Sequence, residues 1–200
     1  MTLEEFFQEL FRDELSDLFP GNRMNANVES RPKLLPLINS AMTLAYSKWK
    51  VKYASEMLEV VAGTTEYTLA ATDILSVIQM VNVYGIEVPQ SDYQVLGSTI
   101  YFPDPQTQTL EVIYKTKHVK YVEAQDDSLV ELELPEMLVP WLKANVCHRY
   151  FASMKTEGAL AKAADFLGQA QMAELMFTST NTTNEFTAPV NRKMEARGFA

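Results

Sequence analysis

Two hundred residues with 47% hydrophobic content suffice for one domain with a full core, or for a domain with an extension. The net charge of −9, from 17 basic and 26 acidic residues, argues against a chain whose main task is gripping nucleic acid or an anionic membrane, because phosphate binding needs clustered Lys and Arg. One cysteine, Cys147, excludes an intrachain disulfide and a thiolate metal set. No basic-then-apolar leader opens the sequence, and no apolar run approaches the ~20 residues that span a bilayer. A soluble protein made in a reducing cytosol is expected.

Thr2-Leu3-Glu4-Glu5 has capping-box spacing, which predicts a helix with Thr2 as N-cap. Leu3, Phe7, Phe11, Leu15 and Leu18 form its apolar face, and Phe19-Pro20-Gly21 marks its end. The polar stretch from Asn22 to Ser30 reads as a loop. A second helix is expected from Ser30 or Arg31, with Leu34, Ile38, Met42, Ala45, Trp49 and Tyr53 along its stripe. Pro36 either delays its regular hydrogen bonding to near Leu35 or kinks its first turn.

From Ser55 the period changes to two. Strands are predicted at Met57–Val61, Tyr67–Leu69, Leu75–Val83, Gln94–Leu96, Thr99–Phe102, Leu110–His118 and Leu129–Leu134. Gly63-Thr64, Gly97-Ser98 and Pro103-Asp104-Pro105 supply reversals. Leu110, Val112 and Tyr114 share one face while Glu111, Lys115 and Lys117 mostly take the other, as in an antiparallel sheet with one wet side.

Pro135 suits the first turn of a third helix running to about Lys155, carrying Leu138, Leu142, Val146, Tyr150 and Met154, with Pro140 disturbing its early part. Thr156 is the N-cap of a fourth, where Ala159, Ala163, Phe166, Ala170, Ala173 and Phe177 recur about every 3.5 residues. Small side chains there permit close packing, and Ala159, Ala163, Ala170 and Ala173 are the candidate subunit-packing positions. After Phe177 the run Thr-Ser-Thr-Asn-Thr-Thr-Asn is too polar to build a core. Phe186, Val190, Arg192, Met194, Arg197 and Phe199 then form a basic, aromatic-bearing tail suited to docking elsewhere.

The fold class is α+β: a helical bundle from N-terminal and C-terminal helix pairs with an inserted small, mostly antiparallel β module. The divisions are residues 1–54 for the N-terminal helices, 55–134 for the β-rich module, 135–180 for the C-terminal helix pair and 181–200 for an extended docking tail.

No set of groups fit for chemistry emerges. Cys147 and His148 are helical neighbours pointing about 100° apart, so they do not pair readily, and Cys147 reads as a small buried residue. The Lys115–Lys120 run reads as a solvated strand face. Glu123, Asp126 and Asp127 lack the alternating ligands and central glycine of a calcium loop. Asp92, Asp104 and Glu111 are too scattered for an acid–base pair. No catalytic residue, cofactor or metal is nominated.

The motif Leu134-Pro135-Glu136-Met137-Leu138, then Trp141-Leu142-Lys143-Ala144 and Arg149-Tyr150-Phe151, opens the C-terminal helix pair. A helix rich in Ala and Glu follows, then a tail with Asn191-Arg192 and Arg197-Gly198-Phe199. With the element order, this resembles the head-to-tail adaptor proteins of tailed bacteriophages, most closely the tail tube A proteins of short-tailed phages. The resemblance implies a virion structural protein and no enzyme, assembled in the host cytoplasm. It implies a homo-oligomeric ring, usually a dodecamer, between the portal protein and the tail nozzle or tube protein. Genomic DNA passes the lumen without sequence-specific binding, and a C-terminal tail clasps the portal. The competing expectation, resting on the acidity, is a small acidic binding module or DNA-mimic inhibitor of a nucleic-acid enzyme.

Overall fold

In the computed structural model, which describes residues 1–16, 23–49 and 51–185, Thr2 caps α1 (Leu3–Arg12) as a complete capping box. The Glu5 amide donates to Thr2 Oγ1 (3.1 Å) and the Thr2 amide to Glu5 Oε2 (2.7 Å). This helix is shorter than its periodicity implied. Its chain turns at Asp13, and the Leu15 amide reaches back to the Leu10 carbonyl (2.8 Å), which keeps Leu15 buried after regular hydrogen bonding has stopped. Leu18 lies outside the described residues.

The second helix, α2 (Arg23–Lys48), begins well before Ser30 and runs through both Pro32 and Pro36. Each interior proline costs about 3 kcal/mol. Burial of Leu34, Leu35 and Ile38, at roughly 2 kcal/mol each, offsets an amount of the same order. Tyr53 does not belong to this helix; it opens the first strand and is 66% exposed.

Six strands follow: β1 (Tyr53–Val60), β2 (Glu66–Thr68), β3 (Ile74–Asn82), β4 (Gln94–Leu96), β5 (Thr99–Tyr101) and β6 (Gln108–Thr116). They form two three-stranded antiparallel sheets of order β1-β6-β3 and β2-β5-β4. Leu58 pairs with Leu110, and Met80 with Val112, so alternate side chains on each strand share one face. Leu58, Val60, Met80, Ile100, Phe102, Leu110, Val112 and Tyr114 form a single core with their neighbours. Two register shifts in β3 mark bulges. At Gly97 (φ 65°) and Gly85 (φ 72°) the hairpins need the left-handed backbone that glycine adopts without strain.

The seventh expected strand, Leu129–Leu134, does not form. Its alternating burial is real, with Leu132 buried and Glu131 and Glu133 exposed, but its ladder is one bridge, Thr2 to Glu131. The Leu3 amide donates to the Val130 carbonyl and the Leu132 amide to the Met1 carbonyl, so the chain ahead of α1 is its partner.

A 3-10 turn (Glu136–Leu138) leads into α3 (Val139–Met154). Pro140 therefore falls in the first helical turn, where its missing N–H forfeits no helical bond. Lys155 closes α3 in the left-handed conformation (φ 56°), and α4 (Glu157–Glu185) begins two residues later. It continues through the Thr/Ser/Asn run after Phe177, where Thr178, Ser179 and Thr180 hydroxyls donate to carbonyls of the preceding turn.

The architecture is α+β, with four α-helices and two small antiparallel sheets among the described residues. It divides into two compact units, Met1–Ala41 with Tyr121–Ala200, and Met42–Lys120. The first holds α1, α3, α4 and α2 as far as Ala41; the second holds the remainder of α2 and both sheets.

Candidate interaction surfaces

Within the helical unit, the middle of α2 is tied to the loop ahead of α3. Arg31 donates to both carboxylate oxygens of Asp127 (2.6 and 2.7 Å) and to the carbonyls of Glu123 (2.8 Å) and Val122 (3.3 Å). Asn39 brackets the Tyr121 backbone, accepting from its amide (2.8 Å) and donating to its carbonyl (2.9 Å). Asp126 accepts from the amide and hydroxyl of Ser128, which hold its carboxyl below the usual range. The acidic loop is thus built from structural hydrogen bonds; Asp127 belongs to an arginine.

A groove of about 500 Å³ lies beside α1, lined by Met1, Glu9, Leu132, Leu134, Glu136, Val139, Pro140 and Lys143. Leu134 and Glu136 of the Leu134–Leu138 motif line it. Lys143 Nζ and Glu9 Oε2 are 2.6 Å apart across its floor. Nearby, burial pushes the Glu14 carboxyl up, with Lys143 opposing, and its Oε2 has no hydrogen-bond partner among the described residues. Burial also pushes the Cys147 thiol up to about 12, with the Glu14 charge adding and Lys143 opposing. Such a thiol is the reverse of an activated nucleophile. His148 points elsewhere, its Nδ1–H donating to the Ala163 carbonyl (2.8 Å), so the adjacent Cys and His are not a catalytic pair.

The alanine stripe of α4 has its partner inside the chain. Ala159, Ala163 and Ala170 are buried and Ala173 half-buried, facing α3, and Phe151 stacks on Phe166 with centroids 5.7 Å apart. Small residues let α4 lie close to α3 of the same chain, a packing that their spacing could not assign to one molecule or two. Phe186, Val190, Arg192, Met194, Arg197 and Phe199 lie outside the described residues.

The opposite side of α4 is uncovered among the described residues. Leu160, Leu167 and Leu175 recur at seven and eight residues and, with Met172 and Met176, are 40 to 67% exposed. Sequence reasoning missed this second stripe, although its leucine spacing was visible beside the alanines. On the β unit, Val83, Tyr84 and Ile86 project from a hairpin held by Asn82, whose Oδ1 accepts from the amides of Tyr84 and Ile86 (both 3.0 Å). A shallower groove of about 420 Å³ beside it is lined by Met57, Val81, Asn82, Val83, Gly85 and Glu111.

Several of the ionisable groups described above are committed to structural pairs, and apolar side chains stand exposed on α4 and on the β unit among the described residues. The sequence profile described as SU10 adaptor protein matches residues 1–193, and the chain belongs to that family of phage adaptor proteins. No curated protein matches the chain. An adaptor family is structural, so membership implies a non-enzymatic role and points to a component of the phage particle. Among the described residues no helix is long and apolar enough to cross a membrane.

Proposed function

We propose that this chain is the head-to-tail adaptor of a tailed phage, similar to the tail tube A proteins of short-tailed phages. In this reading twelve copies form a ring beneath the portal at one capsid vertex. The tail nozzle or tube seats on the ring, and the genome leaves through its lumen. The observation that carries the reading is the family match across residues 1–193. The net charge of −9 suits a channel wall that must not retain DNA. The basic segment with Arg192, Arg197 and Phe199 is the part proposed to hold the portal.

An acidic decoy of nucleic acid needs free carboxylates in dense array. Here Asp127, Glu9 and Glu56 are engaged by Arg31, Lys143 and the amides of Ala70 and Ala71. That reading gains nothing from the structure.

Electron microscopy of the protein mixed with its phage's portal tests the proposal. Rings with a central hole, seated on one portal face, are expected. Deletion of residues 186–200 should preserve the thermal transition and abolish attachment. A chain that stays monomeric beside the portal overturns the ring.

A further inference from the structure

The β unit carries its basic side chains at one end. Every lysine of Met42–Lys120 lies within residues 48–52 or 115–120, and no Lys, Arg or His lies between residues 53 and 114, where eight acids fall. Printed contacts bring the two runs together. The Lys115 ammonium donates to the Ser47 carbonyl near the end of α2 (3.4 Å), and Lys115 pairs with Tyr53 across β6 and β1. The Thr116 amide donates to the Lys52 carbonyl (3.2 Å), and the His118 ring lies against Tyr46 (5.5 Å between centroids). Lys48, Lys52, Lys117 and Lys120 are exposed, and Lys115 is half-buried. Lys50 lies outside the described residues.

Ordinary structural roles account for only part of this cluster. Lys48, in the last turn of α2, complements the negative end of the helix dipole. Edge protection does not apply to Lys115, because β6 runs between β1 and β3. Acids are present too. Asp73, whose carbonyl accepts the Lys117 amide (2.7 Å), and Glu56, held by the amides of Ala70 and Ala71, both lie near Tyr114. Glu123 follows Lys120 by three residues in sequence. Five described lysines against these three carboxylates leave a local positive excess on a chain of net charge −9. Charges more than ~10 Å away are largely screened at 0.1 M salt, so a partner at this end meets the lysines before the net charge.

We infer that this end of the β unit, with Lys48, Lys52, Lys115, Lys117 and Lys120, holds the phosphate backbone of duplex DNA without reading its sequence. The inference rests on the adaptor reading for the presence of DNA and names where the chain touches it. An ammonium has three donors, so a bond such as that of Lys115 to Ser47 leaves others for a phosphate oxygen. The two runs contain no Arg, Asn or Gln, the usual bidentate readers of base edges. A duplex carries one charge per ~1.7 Å of its axis, a denser array than the dispersed acids of a folded protein offer. Tyr53 is exposed, but Trp49 is half-buried beneath Lys48 (5.5 Å) and Tyr46 is buried, which leaves little stacking surface for a single strand. The rest of the chain stays repellent, so the contact is local and weak.

The test is fluorescence anisotropy of a labelled random duplex of ~30 base pairs, titrated with the full chain, without portal, from ~50 to ~200 mM salt. Five phosphate contacts predict a log–log slope of about −4.5, a loss of about 500-fold in affinity over that range. Lys117→Gln with Lys120→Gln should flatten the slope by ~2 and weaken binding at ~50 mM salt about tenfold, with Tm unchanged. Lys52→Gln, in the other run, should flatten it by ~1. Lys33→Gln with Lys155→Gln removes the same charge from exposed positions of the helical unit and should match the wild type. Binding that is absent, insensitive to salt, or weakened equally by both pairs overturns the inference. Tighter binding to polyglutamate of matched charge, or to a single strand of matched length, also overturns it. With no portal in the titration, the result is independent of the ring. DNA binding without rings under the microscope sinks only the adaptor geometry, and rings without DNA binding sink only this inference.

Discussion

Removing Arg31 tests whether one side chain holds α2 to the loop before α3. Its guanidinium makes four donations, two to Asp127 and two to backbone carbonyls, and the side chains of the pair are only 16% and 12% exposed. Breaking a fully buried pair costs 3–5 kcal/mol, because the remaining ion loses its partner without regaining water. Residual solvent reduces that figure here, and two orphaned carbonyls raise it, so Arg31→Ala should cost about 3 kcal/mol. At 2–4 °C per kcal/mol for a chain of this size, Tm falls by roughly 6–12 °C. Urea unfolding followed by Trp141 fluorescence in a Trp49→Phe background isolates the helical unit, since Trp141 is buried there. The double replacement Arg31→Met with Asp127→Leu should lose only ~1 kcal/mol, since no charge is stranded. A loss below about 0.5 kcal/mol for Arg31→Ala refutes the reasoning. So does a double variant as damaged as the single one.

Two further expectations concern the groups beside the groove. Burial raises the Glu14 carboxyl, so the folded state favours its neutral form; that contribution is complete below the ordinary carboxylate range and is lost as pH rises. Glu14→Gln should therefore raise Tm at pH 7, with the gain fading towards pH 4; an unchanged or lower Tm at pH 7 counts against the burial argument. For Cys147, iodoacetamide at pH 8 should label the unfolded chain and spare the native one, as mass spectrometry would show. The neutral thiol's contribution to stability is present below pH 9.0 and is lost as pH rises towards about 12.

Much of the fold was legible because local chemistry and final packing agree. The Thr2 capping box, the strand Gln94–Leu96 and the alternation through Leu110, Val112 and Tyr114 all fell where the residues placed them. The misses share a cause: local pattern reports which side of a segment is buried and is silent on what covers it. Leu129–Leu134 alternates like a strand, yet its neighbour is the chain before α1. Residues from Arg23 offered no apolar stripe and two prolines followed, yet one helix spans them because its later side chains are buried. In α4 the alanine spacing reports close packing, and Ala159, Ala163 and Ala170 are buried within the chain, while the leucines beside them are exposed among the described residues.

The helical unit is assembled from both ends of the chain, and this sets a timetable for its synthesis. Phe6, Phe7, Leu10 and Phe11 leave the ribosome first, but Val130 and Lys143, which engage α1 at Leu3 and Glu9, come more than a hundred residues later. At ~5–20 residues per second the nascent N-terminus waits on the order of ten seconds with four large apolar side chains unsheltered. The sheets of Met42–Lys120 are complete before that wait ends and can fold first. A chain truncated during translation before α3 would therefore expose a greasy leading helix, a substrate for chaperones and proteases, and only full-length copies would reach the particle.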